Sequence, residues 1–236
     1  MKVLVTGAAG LIGSNVCQFF LRRQAEVYGV DNNMRQRFFG PEGSTRRQAE
    51  QLSQHPHYQH LQIDVRSAKQ LAQKLPPTKF DLIVHCAAQP SHDKSREIPR
   101  LDFEVNVLGT LNMLEYLRLE QPQAVFVFTS TNKVYGDNPN RLPLKETALR
   151  YDYADGRDGI DENLSVDHNT HSLFGAGKLA ADIYTQEYGR YFQLKTTVLR
   201  LGCVTGAAHA GVKLHGFLNF LVKSLLKEQR YQIIGY

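Results

Sequence analysis

Residues 2–13 read KVLVTGAAGLIG, and no other stretch limits the possible folds of this chain so strongly. A short β-branched run ends in Gly7, Gly10 and Gly13, three residues apart, and Leu11, Ile12, Val16, Phe19 and Phe20 then recur with helical spacing. Strand, glycine turn and helix in this order have a physical logic. The first glycine permits a tight turn, the second lets a pyrophosphate approach the backbone, and the third lets helix and strand pack closely. The first-turn amides of the helix then point at the phosphates. Leu11 and Ile12 lie in that first turn.

The rest of the chain repeats the rhythm. EVYGVD at 26–31, QHLQID at 59–64, FDLIVHCAA at 80–88, AVFVFTS at 124–130 and KTTVLRLG at 195–202 read as strands. Helical patterns fall near 67–74, 101–119, 172–190 and 215–227, and YQIIGY at 231–236 reads as a last strand. FDLIVHCAA is almost continuously apolar, which suits a parallel strand covered on both faces. Strands alternating with helices predict an α/β fold, a Rossmann-type doubly wound parallel sheet of six or seven strands. Residues 32–60 read as a polar excursion with a helix around 44–54, and 137–171 as loop.

Composition narrows the partners. A net charge of +5 is carried by scattered lysines and arginines, which suits an anionic small molecule and argues against nucleic acid. No apolar run reaches the ~18 residues of a membrane span, and the first residues lack a signal-peptide pattern. Cys17, Cys86 and Cys203 are far apart, without the spacing of a disulfide framework or a metal site. A cytoplasmic protein is expected.

Asp31 ends the second strand, 18 residues past Gly13. A carboxylate there hydrogen-bonds the adenosine ribose hydroxyls and repels a 2′-phosphate, which favours NAD over NADP. Asn32 follows at the same edge, and Arg35 and Arg37 lie close by.

Several segments then combine. TGAAGLIG, Asp64 in QIDVR, HCAAQPSH, NVLGTLN, TSTNKVYGD and Lys178 in FGAGK resemble the extended short-chain dehydrogenase/reductase family, within it the NAD-dependent sugar-nucleotide epimerases and dehydratases. DNNMRQRFFGPEGST, AAQPSHD, TSTNKVYGDNPNRLPL and GIDENLSVDHNTHSLFGAGKLAADIYTQEYGRYF resemble the CDP-paratose 2-epimerase branch. The resemblance implies that Asp64 and Val65 border the adenine, that Cys86, Ala87 and Ala88 line the cofactor, and that Asn106 stands beside it. It implies that Thr131 hydrogen-bonds the sugar oxygen being oxidised. It places Gln89, Ser91, Asn132, Cys203 and His215 at the substrate, a nucleotide-diphosphate sugar, with a CDP-sugar favoured. It also implies a homodimer formed through the helices near 100–118 and 172–190.

The sequence departs from the family pattern in three places. The family carries Tyr-x-x-x-Lys on the helix after the loop, and a four-residue step puts both side chains on one face. The lysine holds the nicotinamide ribose and lowers the phenol pKa, making a usable base. Here Lys178 is present and Phe174 stands at the tyrosine position. Three explanations stay open: Asp167, His168 or His171 acts as base, the proton leaves through Thr131 and water, or turnover is slow or absent. Asn132-Lys133 also replaces the acidic pair of the dehydratases, which argues against dehydration. The family's enzymes are longer, so the chain is expected to hold a dinucleotide domain over 1–202 and the incomplete beginning of a substrate lobe over 203–236.

Overall fold

A computed structural model describes residues 1–213 and 215–232. Six parallel strands form one sheet: β1 Lys2–Thr6, β2 Glu26–Val30, β3 Tyr58–Leu61, β4 Leu82–His85, β5 Val125–Thr131 and β8 Lys195–Leu201, in the order β3-β2-β1-β4-β5-β8. The strand order reverses between β1 and β4, and a crevice opens there at the carboxyl ends of the strands.

Side-chain alternation along each strand builds two cores. Val3 and Val5 of β1 face α1 (Leu11–Leu21) and α3 (Arg46–Ser53), where Cys17, Leu21 and Leu52 are buried. Leu4 faces the other way, onto Leu71 of α4 (Ala68–Lys74) and Met113, Leu114 and Leu117 of α7 (Gly109–Glu120). Because both faces are covered, β4 and β5 read as unbroken apolar runs.

The structure adds elements inside segments expected to be simpler. The excursion after β2 carries α2 (Met34–Phe39) as well as α3. Asn33 adopts a left-handed conformation at φ 54°, and its Oδ1 accepts from the Thr45 amide at 2.9 Å, which closes the excursion into a compact loop. The segment 137–171 holds a small antiparallel hairpin, β6 (Leu144–Glu146) with β7 (Tyr151–Tyr153). The single helix expected over 101–119 is split into α6 (Pro99–Phe103), a π-helical turn at 104–108, and α7. A further short helix, α5 (His92–Glu97), precedes it. The predicted helix near 172–190 is α8 (Leu173–Phe192), and that near 215–227 is α9 (Phe217–Leu226). The strand expected over 231–236 falls largely on residues outside those described.

Candidate active site

The crevice at the switch point is a cavity of about 1040 Å³. Its floor is the glycine turn. Gly7 has φ +64°, and a Cβ there would lie 2.8 Å from the Ala87 amide nitrogen and the Cys86 carbonyl, so β1 and β4 meet closely only through glycine. At Gly13 a Cβ would lie 2.1 Å from the Gly7 carbonyl oxygen. The third glycine therefore lets α1 start directly against the turn. Gly10 caps α1 without any side-chain hydrogen bond, which leaves the first turn, with Leu11 and Ile12, turned to the cavity as an anion site.

Asp31 stands at the next edge. Its Oδ2 accepts from the Ala9 amide at 3.0 Å and its Oδ1 from the Asn33 amide at 2.8 Å. Each oxygen keeps a lone pair, so the carboxylate is held in place and can still accept two hydroxyls. Asn32 lines the cavity beside it and accepts from the Met34 amide at 3.1 Å. Asp64 and Val65 form the wall below. Burial alone would raise the Asp64 pKa, but its hydrogen bonds and charge pairing with Arg66, at 2.6–3.1 Å, outweigh this and hold the carboxyl below the usual range.

Cys86, Ala87 and Ala88 continue the wall past β4. Burial pushes the Cys86 thiol up to about 12, so it stays neutral. Beneath them lies a feature the sequence did not announce. His85 is fully buried, with Nδ1 2.6 Å from Thr6 Oγ1 and Nε2 3.1 Å from Thr110 Oγ1. Thr110 donates its proton to the Asn106 carbonyl, so it accepts from His85 Nε2–H, and Nδ1 in turn accepts from Thr6. Burial first, then the Lys178 charge, pushes this imidazole down to about 3, and it is neutral.

Thr131, Phe174 and Lys178 come together on the opposite wall. Two local features bring them there. Ser172 caps α8 by accepting from the Gly175 amide at 2.9 Å. At Gly175 a Cβ would lie 2.8 Å from the Lys133 carbonyl oxygen, so the first turn of α8 packs against the end of β5. The buried residues of α8 recur at 174, 178, 181/182 and 185, one helix face. Thr131 Oγ1 accepts from the Lys133 amide at 3.2 Å, which fixes the hydroxyl at the rim beside Asn132. Lys178 Nζ donates to the Thr129 carbonyl at 2.7 Å and lies 4.1 Å from the centre of the Phe128 ring. Burial pushes its pKa down to about 8.

Not every predicted residue reaches the cavity. Gln89, Ser91 and Asn106 are 0%, 1% and 1% exposed and stand behind the wall. Gln89 Nε2 donates to the Ser91 carbonyl at 2.8 Å and to Asp102 Oδ1 at 2.7 Å, and its Oε1 accepts from the Ser91 amide at 2.7 Å. Asn106 clamps the Gln89 backbone, accepting at 3.0 Å and donating at 3.2 Å. Gln89 and Ser91, expected at the substrate, and Asn106, expected at the cofactor, thus have all of these polar groups committed to one another. Asp167, His168 and His171 also lie outside the cavity lining; His171 Nε2 donates to the Val134 carbonyl at 2.8 Å.

Cys203 and His215 do line the cavity, at the end where residues 203–216 cover it. His215 Nδ1 accepts from Arg35 at 3.1 Å and from His209 Nε2 at 3.2 Å. Arg35 also donates to the Ala210 carbonyl at 2.7 Å. Burial, then the Arg35 charge, pushes His215 down to about 3 and His209 to about 4. This clasp between α2 and the segment after β8 joins residues 180 positions apart, and no motif marks it.

The chain matches the NAD dependent epimerase/dehydratase family over residues 3–236. It is 34% identical over 206 residues to CDP-paratose 2-epimerase of Salmonella typhi, covering 87% of this chain and 58% of that protein. It is 27% identical to a putative UDP-glucose 4-epimerase of Methanocaldococcus jannaschii, covering 99% and 66%. Among solved structures, UDP-glucose 4-epimerase of Thermus thermophilus in complex with NAD superposes with a TM-score of 0.72 at 28% identity, covering 98% of this chain and 64% of that one. The chain thus spans less than two thirds of the length of each of these relatives.

Proposed function

The chain belongs to the NAD dependent epimerase/dehydratase family, and from that premise we propose that it contributes the NAD site and catalytic wall of a nucleotide-diphosphate-sugar epimerase. The supporting observation is that Thr131, Phe174 and Lys178 meet on one wall of a cavity whose other wall is a glycine turn and an acid. The residues present fit the dinucleotide. Side chains at positions 7 and 13 would collide with backbone, the α1 N-terminus is uncapped, and Asp31 retains free lone pairs. When bound, the cofactor supplies the redox chemistry. The protein positions the sugar carbon, shields it from water and manages the hydroxyl proton.

We assign Lys178 to the nicotinamide ribose and Thr131 to the sugar oxygen whose bond order changes. Residues 1–202 form the dinucleotide domain in this reading, and 203–236 begin the substrate lobe. A CDP-sugar inverted at C2 is preferred because of the similarity to the Salmonella typhi protein. The matches to 4-epimerases support C4 as the second site of inversion. The Asn132-Lys133 pair disfavours a 4,6-dehydratase. Phe174 supports a different class, a catalytically silent NAD-binding protein. We also propose a cytoplasmic homodimer in which α8 pairs through the face exposing Ile183, Tyr184 and Tyr191.

Mass spectrometry of ligands released from denatured protein, followed by turnover of CDP-, UDP-, GDP- and dTDP-sugars, tests the assignment. Bound NAD and inversion of a CDP-sugar are expected; NAD without turnover of any of the four would leave the silent protein. Two further outcomes follow from single groups. NAD should bind at least ~10-fold more tightly than NADP, since a 2′-phosphate would face Asp31; equal affinities in calorimetric titration would remove Asp31 from ribose recognition. Thr131→Val should lower kcat roughly 10- to 1,000-fold with NAD affinity unchanged, as loss of a positioned donor does. Unaltered steady-state rates would exclude the hydroxyl from the reaction.

A further inference from the structure

Phe174 leaves the wall without a phenol, and the ring carries no atom that can accept a proton. We propose that the imidazole of His92, oriented by Asp93, is the proton acceptor for the reacting sugar hydroxyl. This proposal rests on the epimerase reading above.

Both residues line the same cavity as Thr131 and Phe174. They open α5, a helix packed against α8, and their backbone is held firmly. Ser91, one residue earlier, caps α5 by accepting from the Lys94 amide at 3.2 Å, and Ser91 is itself tied to Gln89. The buried Gln89–Asp102–Asn106 network therefore positions His92 as well as the wall. His92 Nδ1 lies 3.2 Å from Asp93 Oδ1. With Nδ1–H donated to the carboxylate, the Nε2 lone pair is the basic position, and the carboxylate stabilises the imidazolium that forms. At 59% exposure the His92 side chain is open to a bound ligand.

The other titratable groups at the wall are committed elsewhere. Of the three imidazoles lining the cavity among the described residues, His209 and His215 belong to the Arg35 clasp. Asp64 is paired with Arg66, and the Cys86 thiol is buried and neutral. Lys133 is an exposed cation, and Lys178 is bonded to the Thr129 carbonyl.

The step is a proton transfer. The sugar O–H bond breaks, its electron pair stays on oxygen and closes the carbonyl, and an N–H bond forms at His92 Nε2. The carbon-bound hydrogen leaves with its electron pair as hydride to the oxidised nicotinamide cofactor. Both return in the reverse half, the proton from Nε2 to the oxygen and the hydride to the opposite face of the carbon.

The test uses the full chain loaded with NAD. In the wild type, CDP-sugar should shift the ring resonances of His92 in nuclear magnetic resonance spectra, and NAD alone should not. His92→Gln should keep NAD affinity and CDP-sugar KM within about 3-fold while kcat falls ~100-fold or more, the usual contribution of a general base. Asp93→Asn should lower kcat by about 10-fold with KM unchanged. Phe174→Tyr should change the wild-type rate little but recover at least ~10-fold in the His92→Gln background, because the phenol then beside Lys178 supplies a second base. If no sugar nucleotide binds or turns over in the wild type, the epimerase reading falls and takes this one with it. If the wild type turns over and His92→Gln keeps its kcat, or the His92 resonances ignore the sugar nucleotide, only the His92 assignment is overturned.

Discussion

Lys178→Ala is expected to abolish turnover, by ~1,000-fold or more, and to weaken NAD binding about 10- to 100-fold. The ammonium spends one of its three donors on the Thr129 carbonyl, which leaves two for a bound ligand. A charged hydrogen bond contributes about 1.5–3 kcal/mol, and 1.4 kcal/mol is tenfold in affinity. The fold should tolerate the change. Burying this cation costs desolvation, visible in a pKa pushed down to about 8, and the variant no longer carries that cost. Lys178→Met, which keeps the stem over Phe128, separates charge from packing and should behave the same toward NAD. Calorimetric titration and a urea midpoint read the two effects independently. NAD affinity equal to that of the wild type would contradict the assignment of Lys178 to the cofactor.

Asp182→Ala should cost about 3–5 kcal/mol of stability. Asp182 is 0% exposed and accepts from Ser130 Oγ at 2.7 Å and from Arg200 at 3.0 and 3.1 Å. The Asp182 hydrogen bonds hold the Arg200 guanidinium pKa above its ordinary value. Removing the acid leaves a cation that is only 15% exposed and has lost its counter-charge. Replacing both partners, as Asp182→Leu with Arg200→Met, should recover most of the loss, since apolar substitutes for a buried pair are often neutral or better. Chemical denaturation of the two variants decides. A single variant as stable as the wild type would show that the pair contributes no net stability.

How much of this could be read from the chain follows from how local each constraint is. Gly7 and Gly13 were legible because their crowding is with residues a few positions away, or at the end of the neighbouring strand, and every strand–turn–helix of this kind imposes it. Asp31 was legible for the same reason, and β4 and β5 because two covered faces give unbroken apolar runs. The wall formed by Thr131, Phe174 and Lys178 was visible only through likeness to a family. The Gln89–Asp102–Asn106 network was not legible at all. Its residues are polar, 13 and 17 positions apart, and resemble ligand contacts until their burial is known. The hairpin at 144–153 hides in a polar stretch, since its strands are three residues long and bury little. The Arg35–His215 clasp spans two segments without any periodic signal.

The π turn at 104–108 behaves as one surplus residue spliced into an otherwise regular rod. Asp102 and Asn106 meet Gln89 on one side of the turn, and Met113, Leu114 and Leu117 meet the sheet on the other. Both docks hold at once only because the extra residue offsets their angular phase by roughly 100°. Deleting Val107 would straighten the rod and swing one dock out of alignment while the other stayed seated. The chain would then tolerate a lost residue less well here than in its exposed loops, although Val107 itself is only half-buried.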